Sequence, residues 1–340
     1  MTHHSRTLLL ALGLSSVTQA QQVLEEVLVT AEFREIPLLE QAASTTVIGA
    51  FAIEQRAAFH LQDVLNLAPN VNYASGSSRA RFFQIRGIGE RSQFQEPLNP
   101  SIGFIIDDID FSGLGTAGTL FDVEQVEVLR GPQGTLHGAN ALAGLINVRT
   151  AQPASEPGLR MEATLADYDT WSTGIVGTGP LISDQLLYRV AVNRYQSDGF
   201  LDNDHLDRSD TNARDELTVR GKLRWLAGDN HTLDVSAMHI DIDNGYDAFS
   251  LDNTRATLSD EPGRDTQRSN ALGVKWQAAL THFDTVGLLS LADSKTEYSY
   301  DEDWSFVGIA PGWEYSSFDR YRRERDSVSA ELRLLSNDES

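Results

Sequence analysis

The chain has 340 residues, with 27 Lys and Arg against 49 Asp and Glu, a formal net charge of −22, and no cysteine. That balance, with a pI near 4.6, argues against a nucleic-acid binder, which needs surplus cationic side chains to coat phosphates. The missing cysteine excludes disulfide scaffolds, thiolate metal sites and thiol catalysis together.

The longest apolar run, residues 8–14, is far shorter than the roughly 20 residues a spanning helix needs. The sequence therefore reads as a soluble protein or as a β-barrel, whose membrane character lies in alternation rather than in runs. Residues 1–20 have the three parts of a secretory signal. Arg6 and the amino terminus supply a positive start, 8–14 the apolar core, and Thr18, Gln19 and Ala20 a cleavage site. Export without cysteine fits the envelope of a Gram-negative bacterium. Within residues 21–36, Glu26 precedes the extended run Val27, Leu28, Val29, Thr30, Ala31, with charges on both sides. Such a segment is either an ordinary first strand or a strand offered to another protein's sheet edge, where backbone groups give affinity and alternate side chains give choice.

Residues 44–150 have an α+β texture. Phe59, Val64, Leu65 and Leu67 fall at helical spacing, which predicts a helix over 59–67 ended by Pro69. Strands are predicted at 82–86, 102–106 and 123–129, with a further apolar segment at 141–148. Between the last two, Gly131 and Pro132 demand a turn, and Gly134 and Gly138 permit backbone shapes closed to other residues. The glycine run lacks the lysine of a phosphate-binding P-loop, and Gly87-Ile88-Gly89 lacks the third glycine of a dinucleotide fingerprint.

These residues carry a resemblance. The segment 27–31 resembles the TonB box of TonB-dependent outer-membrane receptors. Residues 84–89, 105–109 and 126–138 are similar, in the family's order, to its plug motifs, and 143–148 with Pro153 to the plug's exit. Asp108 stands where the family usually has the Gly of an Asp-Gly turn, and Ala143 replaces the first of a usual Gly pair. The resemblance implies a plug over residues 37–153, seated in a barrel that begins at 154. Arg86, Glu127 and Arg130 match charged plug positions, which implies ion pairs holding plug to barrel wall. Gly87, Gly131, Pro132, Gly134 and Gly138 match the motif's turn positions. Glu26 to Ala31 would be captured by TonB and its inner-membrane energising complex.

The second half alternates without help from any family. Leu159, Met161, Ala163 and Leu165 oppose Arg160, Glu162 and Thr164, and the pattern recurs at 217–225, 272–280 and 328–334. Less regular segments at 171–176, 186–195, 233–242 and 285–292 bring the count to about eight strands of about 10 residues, the length a tilted membrane strand needs. Short connections at 177–185, 227–230 and 281–284 alternate with long polar ones at 196–213, 244–268 and 293–325, the outer-membrane pattern of periplasmic turns and external loops. Trp171, Tyr188, Trp225, Trp276 and Tyr298 are candidates for interfacial aromatic girdles. The fold class is thus an α+β plug followed by an antiparallel transmembrane β-barrel. About eight strands are present where family barrels have 22, so the chain is expected to be a fragment of a longer reading frame, or else not functional alone.

Other chemistry is thin. The histidines are scattered, no Gly-x-Ser-x-Gly elbow occurs, and the carboxylates of 107–110 are explained by a turn, so neither an enzyme nor a cofactor is expected. The acids Asp198, Asp202, Asp204, Asp207, Asp210, Asp241, Asp243, Asp247 and Asp252 concentrate in or near the external loops, which suggests solubility or cation-assisted ligand capture. The implied function is energised uptake of a scarce extracellular ligand across the outer membrane, with lipid, TonB and a ferric siderophore as partners and no nucleic acid. Oligosaccharide or vitamin uptake is the near alternative. A passive porin-like or adhesive barrel is the alternative of another class.

Overall fold

The computed structural model describes residues 28–29, 36–75, 77–92, 97, 99–137 and 140–336. The secretory signal, Glu26, Val27, Thr30, Ala31 and Gly138 lie outside the described residues.

The first described residues are β1 (Leu28–Val29), paired antiparallel with β2 (Ile36–Pro37). The plug follows as β3 (Ser44–Gly49), α1 (Ala50–Gln55), α2 (Gln62–Leu65), β4 (Val71–Ala74), β5 (Phe82–Ile85), β6 (Ile102–Ile106), β7 (Ile109–Asp110), β8 (Val123–Arg130), α3 (Gly134–His137) and β9 (Gly144–Thr150). Five of these strands form a sheet in the order β3-β8-β9-β6-β7, in which only β6 and β9 run parallel. The helix predicted over 59–67 is reduced to α2. The Asp63 carboxylate accepts the backbone N–H of both Phe59 and His60, each at 3.0 Å, and a bridge to Thr119 holds His60 extended. An acceptor three or four residues downstream thus starts the turn late.

The wall follows as β10 (Gly158–Ala166), β11 (Thr170–Ile182), β12 (Leu186–Ser197), β13 (Asp202–Asn203), β14 (Arg214–Leu226), β15 (His231–Tyr246), β16 (Ala256–Thr257), β17 (Gly263–Ala279), β18 (Phe283–Asp301) and β19 (Phe318–Ser336). Strands β13 and β16 pair with each other between loops. The other eight form one antiparallel sheet in chain order, as the alternation predicts. One face carries Leu159, Met161, Val190, Leu223, Trp225, Leu272, Trp276, Leu289, Val328 and Leu332, all exposed. The opposite face meets the plug, and Met238, Ile240, Ile242 and Ala271 join the plug's core of Ile48, Leu61, Val64, Phe83, Phe104 and Val126. Tyr298 is buried on this inner side, packed on Tyr246, so it is not an interfacial girdle residue; Trp225 and Trp276 do face outward.

Strands β17, β18 and β19 have 17, 19 and 19 residues and absorb much of what reads as long loop in the sequence. The register explains why. Ala237, Leu272, Leu291 and Val328 lie side by side on the outer face, and the next outer row is His239, Asn270, Asp293 and Asp326. Above it stand Asp241, Arg268, Lys295 and Glu324, with ion pairs of 3.0 Å for Asp241–Arg268 and for Lys295–Glu324. Where the outer face changes from apolar to charged the strands continue, but the apolar alternation that reveals them stops. No helix among the described residues is long and apolar enough to cross a membrane.

Candidate functional site

Three features could carry function: the β1 segment, the glycine-rich turn of the plug, and the boundary between plug and wall. Val29 is fully buried although its strand has two residues. The Leu28 carbonyl accepts Gln125 Nε2 at 3.1 Å, and the same nitrogen donates to Glu127 Oε1 at 2.5 Å. Asn147 Nδ2 donates to Glu127 Oε2 at 3.1 Å. A buried carboxylate on β8 thereby orients the amide that holds β1 to the plug.

Arg86 sits on an exposed turn with φ 54, followed by Gly87 with φ 82. Gly131 has φ 119, a conformation that favours glycine, and leads into Pro132. Gly134 opens α3 with no such demand, because a side chain there would meet open space. Among the described residues, the ion pairs seen to span this boundary involve residues other than Arg86, Glu127 and Arg130, the three expected to make them. Glu127 is engaged by Gln125 and Asn147, and Arg130 donates to Ser44 Oγ at 3.1 Å and Thr46 Oγ1 at 2.6 Å, all within the plug. Burial and the nearby positive charge of Arg86 lower the Arg130 pKa.

Other residues make the junction. Arg79 Nε and Nη2 reach Glu216 Oε1 and Oε2 of β14 at 2.7 and 3.0 Å. Asp265 of β17 accepts the Ser78 N–H at 2.8 Å, the Ser78 hydroxyl at 2.7 Å and Arg81 Nη2 at 2.7 Å. Asn244 Nδ2 donates to both Ser78 Oγ and Glu216 Oε1. Lower on the sheet, Asp107 receives Lys222 Nζ at 3.1 Å and the Thr150 N–H and hydroxyl at 3.0 and 2.6 Å. Asp122 takes Arg189 of β12 through both oxygens and Arg160 of β10 through one. Arg220 reaches in from β14 to the carbonyls of Thr119 and Phe121. Phe121 lies in a notch of the wall left by Gly174, where an added Cβ would stand 2.2 Å from the ring. The residues that sequence reasoning missed lie far from their partners in the chain, and no local pattern joins them. The separations are 137 positions for Arg79 and Glu216, 184 for Arg81 and Asp265 and 67 for Asp122 and Arg189.

The turn at Asp107 and Asp108 has φ 48 and 64, a two-residue hairpin turn with both centres left-handed. Asp108 tolerates what Gly usually supplies and faces Lys275 at 3.1 Å. Beside it a cavity of about 680 Å³ separates plug from wall, lined by Asp108, Arg149, Lys222, Ser236 and Lys275 among others. His60 is fully buried beneath the junction; Nε2 donates to the Thr116 carbonyl at 3.2 Å, and Nδ1 faces the Gln62 N–H. Burial, reinforced by the Arg79 charge, lowers its pKa to about 4.

Of the loop acids, Asp198 sits beside Asp169 and Asp210, and burial together with those two carboxylates raises its pKa, while others lie apart as pairs or buried acceptors. Asp241 and Asp243 pair with Arg268 and Arg264 on the outer face of strands, and Asp247 is buried as an acceptor for Asn203, Thr211 and Thr257. Among the described residues no three His, Asp or Glu side chains converge to hold a metal.

Comparison with known proteins agrees with this architecture. Residues 37–145 match the family model of the TonB-dependent Receptor Plug Domain. The chain is 28% identical over 282 residues to the pesticin receptor of Yersinia pestis, covering 82% of this chain and 39% of that one. It is 34% identical over 148 residues to the vitamin B12 transporter BtuB of Vibrio vulnificus, covering 41% of this chain and 23% of that one. The ferric yersiniabactin uptake receptor FyuA from Yersinia pestis superimposes with a TM-score of 0.74 at 20% identity, over 88% of this chain and 46% of that structure. FpvA of P. aeruginosa, bound to an iron–pyoverdine complex, gives 0.72 at 16% identity, over 90% and 41%. The chain therefore spans about two fifths of the length of the pesticin receptor it matches.

Proposed function

This chain belongs to the TonB-dependent receptors, and from that premise we propose that it supplies the plug and first barrel strands of a receptor for energised uptake of an extracellular ligand across the outer membrane. The observation that carries the reading is the pairing of β1 with β2 and its clip to Gln125, on a plug seated against a membrane-type sheet. A short strand tucked into the plug is a handle. Captured by TonB, it transmits work from the inner membrane to a plug that otherwise closes the barrel. The outer membrane holds no ATP, so uphill transport needs such a handle, whereas a passive porin or an adhesive barrel needs neither handle nor plug.

The ligand is a ferric siderophore in this reading. Two structures that share the fold are named for ferric yersiniabactin and pyoverdine. Vitamin uptake is the second reading, favoured by the 34% identity to a vitamin B12 transporter over 148 residues. Coupling rests on Val27, Leu28, Val29 and Thr30, and plug architecture on Arg86, Glu127, Arg130 and residues 131–138. In the full-length receptor, Val29→Pro removes a backbone donor from the strand TonB would pair with. Energised uptake should be lost while ligand binding at the cell surface persists. Uptake at the unaltered rate would refute the coupling role. Growth rescue of the expressing strain by ferric siderophores against cobalamin separates the two ligand classes.

A further inference from the structure

The three long connections of the wall, residues 198–213, 247–262 and 302–317, are joined to one another. Strands β13 and β16, from the first and second of these, have two residues each and form a two-stranded sheet of their own. The Asp202 N–H donates to the Arg255 carbonyl and the Asp204 N–H to the Thr257 carbonyl, each at 3.0 Å. Asp247 ties the same two segments. One of its oxygens, Oδ2, accepts Asn203 Nδ2 at 2.9 Å, Thr257 Oγ1 at 2.7 Å and Thr211 Oγ1, and all four residues are buried. Asn203 is held on both sides of its amide: Nδ2 also donates to the Ser259 carbonyl at 2.8 Å, and Oδ1 accepts the Leu206 N–H at 2.9 Å. The third connection is attached to both others. The Asp260 N–H donates to the Ser305 carbonyl at 3.1 Å, His205 stacks on Phe306 with ring centres 3.9 Å apart, and Phe249 stacks on Trp304 at 4.8 Å.

A buried carboxylate is costly unless it is hydrogen-bonded, and two of the three donors to Asp247, Asn203 and Thr211, come from the neighbouring connection. Each of the two segments therefore holds its position only with the other in place, and a satisfied buried polar network rigidifies what it joins. We infer that Asp247 is a positioning residue that fastens 198–213, 247–262 and 302–317 into one cap before any ligand arrives. The exposed side chains of Phe200, Leu251, Trp304 and Trp313 are then presented in fixed relation, and capture on them carries no cost of ordering the connections one by one. The placement of the cap outside the cell rests on the proposed reading of the chain as a receptor, and the fastening itself does not.

The complete receptor in lipid nanodiscs, without ligand, is spin-labelled at Leu206→Cys with Leu251→Cys, and separately at Leu251→Cys with Val307→Cys, one exposed site on each connection. This chain brings no cysteine of its own to the labelling. Distances measured between the two labels should form one narrow distribution for each pair. Asp247→Leu, which keeps the volume and removes the acceptor, should roughly double the width for both pairs. Asp247→Asn, which keeps an acceptor oxygen, should leave the widths as they are. Heat-modifiable migration checks that the barrel remains folded. Where Asp247→Leu does not fold, Thr257→Val deletes one donor and should broaden the first pair. Broad distributions in the unaltered receptor, unchanged widths on loss of the acceptor or of that donor, or equal broadening by Asn and Leu would each overturn the inference. Uptake unaltered by Val29→Pro would instead count against the transport reading and leave these distances as they are.

Discussion

Arg79 and Glu216, 137 positions apart, meet in a two-point fork whose side chains are 3% and 6% exposed. Removing either partner strands a charge in a low-dielectric site, a loss of about 3–5 kcal/mol, whereas replacing both with apolar side chains of similar size is often neutral. In the full-length receptor Glu216→Ala should speed amide exchange across Phe82–Ile85, the strand that follows Arg79 and Arg81. The Arg79→Met/Glu216→Leu pair should restore most of the protection. Equal loss in the single and double variants would show that the fork does more than satisfy itself.

The hairpin turn separates two neighbouring acids by burial. Asp107 with Lys222 is 7% and 9% exposed, and Asp108 with Lys275 is 45% and 34% exposed. Asp107→Ala should cost about 3–5 kcal/mol of plug docking, because it leaves Lys222 buried without its carboxylate. Asp108→Gly should lose no more than about 1 kcal/mol of ion pairing and regain a similar amount by relieving a left-handed backbone, for a change near zero. Denaturant midpoints of the two variants check the contrast.

How much of this was legible from sequence depends on the distance over which each signal acts. The strands of the wall announce themselves through alternation, as at 217–225, because one face must be apolar wherever it meets hydrocarbon. The same logic hides the outer parts of β17 to β19. Once Asn270 replaces Leu272 on the outer face, both faces are polar and the strand reads as loop. In the plug, β6 and β8 are found close to their observed bounds, and α2 is overestimated because its capping acid, Asp63, lies inside the apolar pattern. The boundary was not legible. Glu216 and Asp265 look like any acid on an alternating strand, and only the fold brings them to Ser78, Arg79 and Arg81.

His60 makes the plug sensitive to acid. Its folded pKa of about 4 lies below the usual 6.5, so between these values the unfolded chain binds more protons than the folded one. The contribution is fully present above pH 6.5 and is lost as pH falls toward 4, amounting to about 2–4 kcal/mol across the window. His60→Gln should flatten that part of the stability–pH curve, measured on plug unfolding between pH 7 and pH 4.5. A slope that survives the substitution would assign it to other groups.

The outer face offers a test of membrane depth. Leu289 lies in the apolar rows of β18, whereas Glu324 of β19 stands one row above the first polar row of the outer face. In the complete barrel Leu289→Arg should cost about 2–4 kcal/mol, as for a cation near the bilayer midplane, and Glu324→Arg about 0–1 kcal/mol, as near an interface. Refolding titrations into vesicles give both values. Similar costs at the two positions would be incompatible with a hydrocarbon boundary at His239, Asn270, Asp293 and Asp326.

In the proposed reading of β1 as a handle, its clip sets how readily it is offered. Gln125 Nε2 is shared between the Leu28 carbonyl and Glu127, so the hold on β1 depends on a carboxylate that is itself fully buried and also bound by Asn147. A net hydrogen bond of this kind contributes about 0.5–1.5 kcal/mol, enough to shift a released fraction roughly two- to thirteenfold. Gln125→Ala should therefore raise the rate at which a protease cuts near residue 29 by that factor, and should raise the affinity of the full-length receptor for a soluble TonB carboxy-terminal domain without added ligand. Glu127→Gln keeps the shape but weakens the anchor of the amide, and its effect should be smaller in the same direction. Protection of the segment unchanged in both variants would mean that burial of Val29, rather than the clip, holds the handle in place.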